Sequence, residues 1–254
     1  MRTQKFKLLI AILLILPLSL ITAQEKTSQA FWVHEDVVKP NMVGEYESVV
    51  KELVDNMKKH NIQEVNMITA NLVDSRYLYV GPIENMAQLD KPSFATLSEK
   101  MGKDNMSALF NRMDKCYDIE QDYVIYLDKE LSYMPTGITQ TPEGQDYRKF
   151  HYLHFTPGNR AMVKEKMKAI KNMFAEKGSK EYYRVYKSGF GTRGEFYMVA
   201  VAAKDPIHYE TQSQENQALL GEDGNKTMGD LMGNLLKYEV FEGHMRPEMG
   251  YSPN

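Results

Sequence analysis

A chain that repeats itself is limited to two copies of one unit, so internal repetition is the strongest constraint on this sequence. Displaced by 120 residues, the chain falls on itself at several places. Phe31-Trp32-Val33-His34 falls near Phe150-His151-Tyr152-Leu153-His154, which sets Trp32 on Tyr152 and His34 on His154. Met42-Val43 falls on Met162-Val163, Glu45 on Glu165 and Tyr77 on Tyr197. Toward the end of each half the offset becomes 118. There Glu130-Leu131-Ser132-Tyr133-Met134-Pro135 matches Glu248-Met249-Gly250-Tyr251-Ser252-Pro253. One such match is chance-level; their shared order and near-constant offset point to duplication.

Each half reads as the same series of elements. Residues 31–38 and 150–156 are rich in aromatics and Val, and read as strands. Tyr46, Val50, Leu53 and Met57 form one apolar stripe at helical spacing over 41–60, as Val163, Met167, Ile170 and Phe174 do over 159–177. A hairpin follows in both halves, with turn chemistry at Asp74-Ser75 and at Gly191-Thr192-Arg193-Gly194. A second helix is marked by Met106, Leu109, Phe110 and Met113, and in the other half by Met228, Leu231, Met232 and Leu235. A last strand closes each half near 123–127 and 238–241. The expected organisation is therefore a first unit at 29–135, a Pro- and Gly-punctuated linker at 136–148, and a second unit at 149–253.

The order β-α-β-β-α-β, twice, makes the expected fold class α+β with two tandem ferredoxin-like units. Helices cover one face of each sheet, and the bare face needs a partner. Two units in one chain can pack sheet to sheet as an intramolecular barrel. In this layout the chain resembles the dimeric α/β-barrel superfamily, which includes monooxygenase-like, stress-responsive and haem-handling proteins. The resemblance covers 29–253 and rests on element order and duplication, so it carries no catalytic residues over.

Residues 1–23 have the order of an export signal. Arg2, Lys5 and Lys7 precede a 14-residue apolar run, Leu8 to Ile21, with Thr22-Ala23 before Gln24 as a cleavage site. The run is shorter than the ~20 residues of a membrane span. Cleavage would leave 28 basic against 34 acidic residues, a formal charge of −6, in a protein outside the cytoplasm with no stable membrane anchor. Such a balance argues against nucleic acid as a partner. Cys116 is the only cysteine, so no intramolecular disulfide can form. No nucleophile elbow, phosphate loop, zinc-binding H-E-x-x-H or dinucleotide fingerprint is present.

His34 and His154 stand out as candidate site residues because they fall on matched first strands. Strand alternation places Trp32 and Asp36 on the face of His34, and Tyr152 on that of His154. Should that face line a cavity between the sheets, His34, His154, Trp32, Tyr152, Tyr77 and Tyr197 would surround a small apolar or aromatic ligand. A register shift of one residue would instead turn both histidines toward the helices. Two histidines alone make a poor metal site, since zinc takes three or four ligands, and no metal is expected. Two functional classes follow: an exported small-molecule-binding or structural module, or a monooxygenase-like or haem-handling enzyme using His34 or His154. Haem is the one cofactor that the resemblance implies.

Overall fold

A computed structural model describes residues 28–253; the expected export signal lies outside them. The described residues form eight strands and five helices. The strands are β1 (Ser28–Val38), β2 (Ile68–Leu72), β3 (Arg76–Ile83), β4 (Tyr117–Asp128), β5 (Tyr147–Phe155), β6 (Tyr183–Ser188), β7 (Glu195–Ala203) and β8 (Lys237–Met245). The helices are α1 (Val43–His60), α2 (Ala95–Met101), α3 (Lys103–Met113), α4 (Arg160–Glu176) and α5 (Pro206–Met232).

Local chemistry explains the ends of these elements. Pro40 starts a short 3-10 turn that leads into α1. Lys58, Lys59 and His60 occupy its last turn, and Asn61 stops it in the left-handed conformation at φ 47°. Helix α5 is longer than the heptad of apolar residues at 228–235 predicts. Its start is written in Asp205-Pro206: the Asp205 side chain accepts from the His208 N–H at 2.8 Å, and Pro206 follows at the first helical position. Gly221, at φ 63° and ψ −149°, breaks this helix into two segments.

All neighbouring strands are antiparallel, and they close into a barrel in the order β1-β3-β2-β8-β5-β7-β6-β4. Read by halves, this is β4-β1-β3-β2 followed by β8-β5-β7-β6, the same order twice. The two sheets join at their edges. One seam pairs Ala70, Asn71 and Leu72 with Met245, His244 and Gly243; the other pairs Ile125, Tyr126 and Leu127 with Ser188, Lys187 and Tyr186. Strand β5 begins at Tyr147, so Tyr147 and Arg148 are strand residues and not part of the linker.

Three apolar cores result. The barrel interior holds Phe31, Val33, Tyr123, Ile125, Phe150, Tyr152, Phe196 and Met198, among others. Helices α1, α2 and α3 cover the outer face of the first half, and α4 with α5 covers that of the second.

The β2–β8 seam depends on a missing side chain. A Cβ on Gly243 would lie 2.5 Å from the Asn71 carbonyl oxygen and 2.8 Å from Leu72 Cδ2. Backbone paired at a seam cannot retreat cheaply. Gly243→Ala is expected to destabilise the protein by about 1–3 kcal/mol, the usual range for overpacking. Gly44→Ala in the first turn of α1 meets nothing within 4 Å and serves as the control, expected to be neutral or stabilising. Denaturant midpoints of the two variants check this pair.

Candidate functional site

The six residues expected to meet in one cavity are divided among three environments. On β1, Phe31 and Val33 belong to the barrel core, so Trp32, His34 and Asp36 point outward beneath the helices. On β5 the parity is opposite. Phe150 and Tyr152 point inward and carry His154 with them, while Leu153 and Phe155 sit under α4 and α5. Tyr77 packs in the first outer core and Tyr197 in the second. The inter-sheet cavity expected from the sequence is filled by side chains and retains only about 60 Å³.

The cause is a three-residue slip in the match between β1 and β5. Asp36 pairs with Tyr77 across β1–β3, and Leu153 pairs with Tyr197 across β5–β7. Since Tyr77 and Tyr197 are equivalent, Asp36 corresponds to Leu153, and His34 to His151 instead of His154. An odd slip moves a residue to the other face of a strand. His154 ends beside Tyr152 and Phe196, with its Nε2 2.9 Å from Glu239.

Two of the outer cavities lie between sheet and helices and each contain one of the equivalent histidines. The first, of about 690 Å³, is lined by Trp32, His34, Asp36, Tyr79, Phe94 and Phe110, among others. The second, of about 510 Å³, contains His151, Tyr209, Tyr238 and a largely apolar wall including Met167, Met228 and Leu231. Both fall in the size range of small-molecule sites.

Their electrostatics are opposite because the partners of the histidine differ. His34 Nε2 lies 3.2 Å from Asp36, and its Nδ1 lies 3.0 Å from Asp122. Behind it, Tyr46 donates to Asp36 at 2.5 Å, and the hydroxyls of Tyr46 and Tyr79 are 2.7 Å apart. Burial alone would lower the His34 pKa. The Asp36 and Asp122 carboxylates outweigh it and raise the imidazole to about 9. His34 is therefore a cation at neutral pH. Burial pushes both the Tyr46 and Tyr79 hydroxyls upward, so they stay protonated.

At the equivalent places of the second half, Leu153 replaces Asp36, Val199 replaces Tyr79 and Val240 replaces Asp122 across the same strand pairs. His151 meets only phenols: its Nδ1 is 2.6 Å from the Tyr238 hydroxyl and its Nε2 3.1 Å from that of Tyr209. Burial, assisted by the Lys149 charge, lowers it to about 4. It is neutral at pH 7.

Neither histidine suits an axial ligand for haem: His34 is a cation between Asp36 and Asp122, and both nitrogens of His151 are engaged by phenols. His34, Asp36 and Glu120 bring ligand atoms within 4.8 Å of one another. Asp36 and His34 already balance each other's charge, and Tyr46 takes the second Asp36 oxygen, so no cation is required to hold the group together.

No family model matches the sequence, and no curated protein matches it. Solved structures do. An anthrone oxidase-like protein superposes with a TM-score of 0.59 at 11% identity, over 86% of this chain and 91% of that one. A candidate monooxygenase from Fusobacterium nucleatum gives 0.52 at 12%, over 88% and 96%. Another, from Lactobacillus acidophilus, gives 0.51 at 8%, over 86% and 94%. The chain shares the fold of these α/β-barrel proteins. At such identity the likeness concerns fold alone, and the site is argued from its own residues.

Proposed function

We propose that the chain is an exported small-molecule-binding protein whose ligand occupies the first outer cavity. The ligand is planar, largely apolar and uncharged, with one hydroxyl or carbonyl group for His34. The observation that carries this reading is the asymmetry around the imidazole. Asp36 is buried and fixed by Tyr46, so it holds Nε2. Asp122, on the opposite nitrogen, has a side chain 58% exposed. A ligand oxygen can displace Asp122 into water and accept from Nδ1, while Trp32, Phe94 and Phe110 provide aromatic walls. The carboxylates of Asp36, Asp122 and Glu120 around one imidazolium disfavour an anionic ligand.

Export rests on the order of residues 2–23, and sequencing of the secreted or periplasmic protein from its N-terminus checks it: a mature start near Gln24 is expected. Duplication of a ferredoxin-like unit is supported by the strand order common to both halves.

Trp32 is the only tryptophan of the chain, so intrinsic fluorescence reports on this cavity directly. Titration with anthrone or 1-hydroxyanthraquinone is expected to quench Trp32 saturably. His34→Gln is expected to weaken binding about tenfold, the worth of one hydrogen bond to a charged donor. Quenching without saturation for every planar phenol and quinone tried, or equal affinity in the variant, would remove the site.

A catalytic reading is favoured by one further feature. A buried carboxylate behind an imidazole is the arrangement that steers proton transfer at the other ring nitrogen. A monooxygenase-like activity would consume anthrone with dioxygen and yield anthraquinone and water. If neutral His34 is the base, the rate rises with pH up to about 9.

A further inference from the structure

The barrel interior contains three arginines, Arg148 and Arg184 buried and Arg76 partly so, with different surroundings. Arg76 has carboxylates at hand: its guanidinium lies 3.6 Å from Glu35 and 2.9 Å from Asp74. Arg148 and Arg184, 1% and 2% exposed, form no ion pair among the described residues. Their hydrogen bonds go to main-chain carbonyls of the segment between the halves and of Tyr147. Arg184 donates to Thr139 at 2.7 Å and Gln140 at 2.9 Å; Arg148 donates to Gln140 and Tyr147 at 3.0 Å each, and also to Gln145. The carbonyl of Gln140 thus accepts from both, which sets two cations side by side. Arg184 Nε is buried and has no partner.

Carbonyl dipoles solvate a guanidinium without neutralising it. Two adjacent buried cations repel each other, and an uncompensated buried charge is among the costliest features a core can hold. Burial lowers both arginines, Arg148 to about 10 with Arg184 adding to the effect and the Asp146 charge opposing it. Even so, both are cations at neutral pH.

The remaining interior space lies against them. Arg148, Arg184, Gln140 and Tyr186 line the same cavity of about 60 Å³, whose other walls are apolar, including Val33, Ile125 and Met198. This space exceeds the 10–15 Å³ that one water needs. We propose that it binds a small monovalent anion, chloride or one of similar size, between Arg148 and Arg184. The apolar walls select the class. Few polar groups are present to replace a hydration shell, so a weakly hydrated monovalent ion is accepted and a divalent oxyanion is not. This site lies inside the barrel and is independent of the Trp32 cavity.

The test uses the full chain exchanged into gluconate, a bulky anion that does not fit. Bromide is then added at constant ionic strength. The melting temperature is expected to rise saturably, by about 3–6 °C at ten times the dissociation constant, while sulfate at the same ionic strength gives no saturable shift. A crystal grown in bromide is expected to show an anomalous peak beside Arg184 Nε. Arg184→Met is expected to abolish the bromide-dependent shift. A shift that grows linearly with bromide, or a cavity holding only water in the bromide crystal, would overturn the proposal. The wild-type titration and the anomalous map decide it whether or not the variant folds.

Discussion

Asp36→Ala is expected to destabilise the protein by about 3 kcal/mol at pH 6, and by clearly less at pH 9.5. Asp36 is 1% exposed. It accepts from Tyr46, itself fully buried, and faces the imidazolium of His34. Removing one member of a buried charge pair costs about 3–5 kcal/mol; the lower figure applies because the His34 side chain keeps 25% of its exposure. The pH dependence follows from His34. Its folded pKa, about 9, stands above the ordinary 6.5. A raised imidazole contributes stability fully below pH 6.5 and loses it as pH rises through 9. Asp36→Ala forfeits most of that contribution, so wild type and variant converge at high pH. Asp36→Asn separates charge from shape: it keeps an acceptor for Tyr46 but should return the His34 titration, followed by NMR, toward or below 6.5. Equal destabilisation at both pH values would show that Asp36 serves only the Tyr46 hydroxyl.

The fold was more legible than the site, for a physical reason. Element order depends on periodicity, which tolerates an error of a few residues, and β1, α1, β5 and α4 stand where the aromatic-rich strands and apolar stripes predict them. Facing depends on parity, which tolerates none. Aligning His34 with His154 is attractive because the residue types match, yet the register across Tyr77 and Tyr197 selects His151. Nothing local in Phe150-His151-Tyr152-Leu153-His154 says which histidine is outward, because both inner and outer faces of β5 are buried and aromatic. Asp36 was visible as a same-face neighbour two residues from His34. Asp122, Tyr46 and Tyr79 come from β4, α1 and β3, and only the closed sheet brings them to one place. The arginine pair was hidden for a related reason: Arg148 reads as the edge of a polar linker, and only barrel closure buries it.

The matched ends of the two halves carry the second large effect. From the sequence, these ends turn the chain and pack Tyr133 and Tyr251 over the barrel rim. In the structure each packs under the helices of the opposite half. Tyr251 belongs to the core beneath α1, where its hydroxyl donates to the carbonyls of Ile62 at 2.8 Å and Met57 at 3.2 Å and its backbone bridges to Met67. Met249 beside it is fully buried in the same core. Tyr133 belongs to the core beneath α4, where its hydroxyl donates to Ser179 at 3.1 Å, its backbone bridges to Tyr183 and its ring meets that of Phe174 at 5.8 Å. Each half is thus completed by the tail of the other. Tyr251→Ala and Tyr133→Ala are each expected to cost about 3–5 kcal/mol, the range for deleting a large buried aromatic. They should differ in where the protein loosens. Amide exchange is expected to quicken around residues 57–67 in Tyr251→Ala and around 174–185 in Tyr133→Ala, with the opposite half less affected. Loosening confined to the half that carries the substituted residue in sequence, or a loss below about 1 kcal/mol, would contradict this packing. The same contacts explain why a chain cut in the linker should not survive as a monomer. It would leave the first half without Tyr251 and the second without Tyr133, and would expose the barrel's apolar inner face on both.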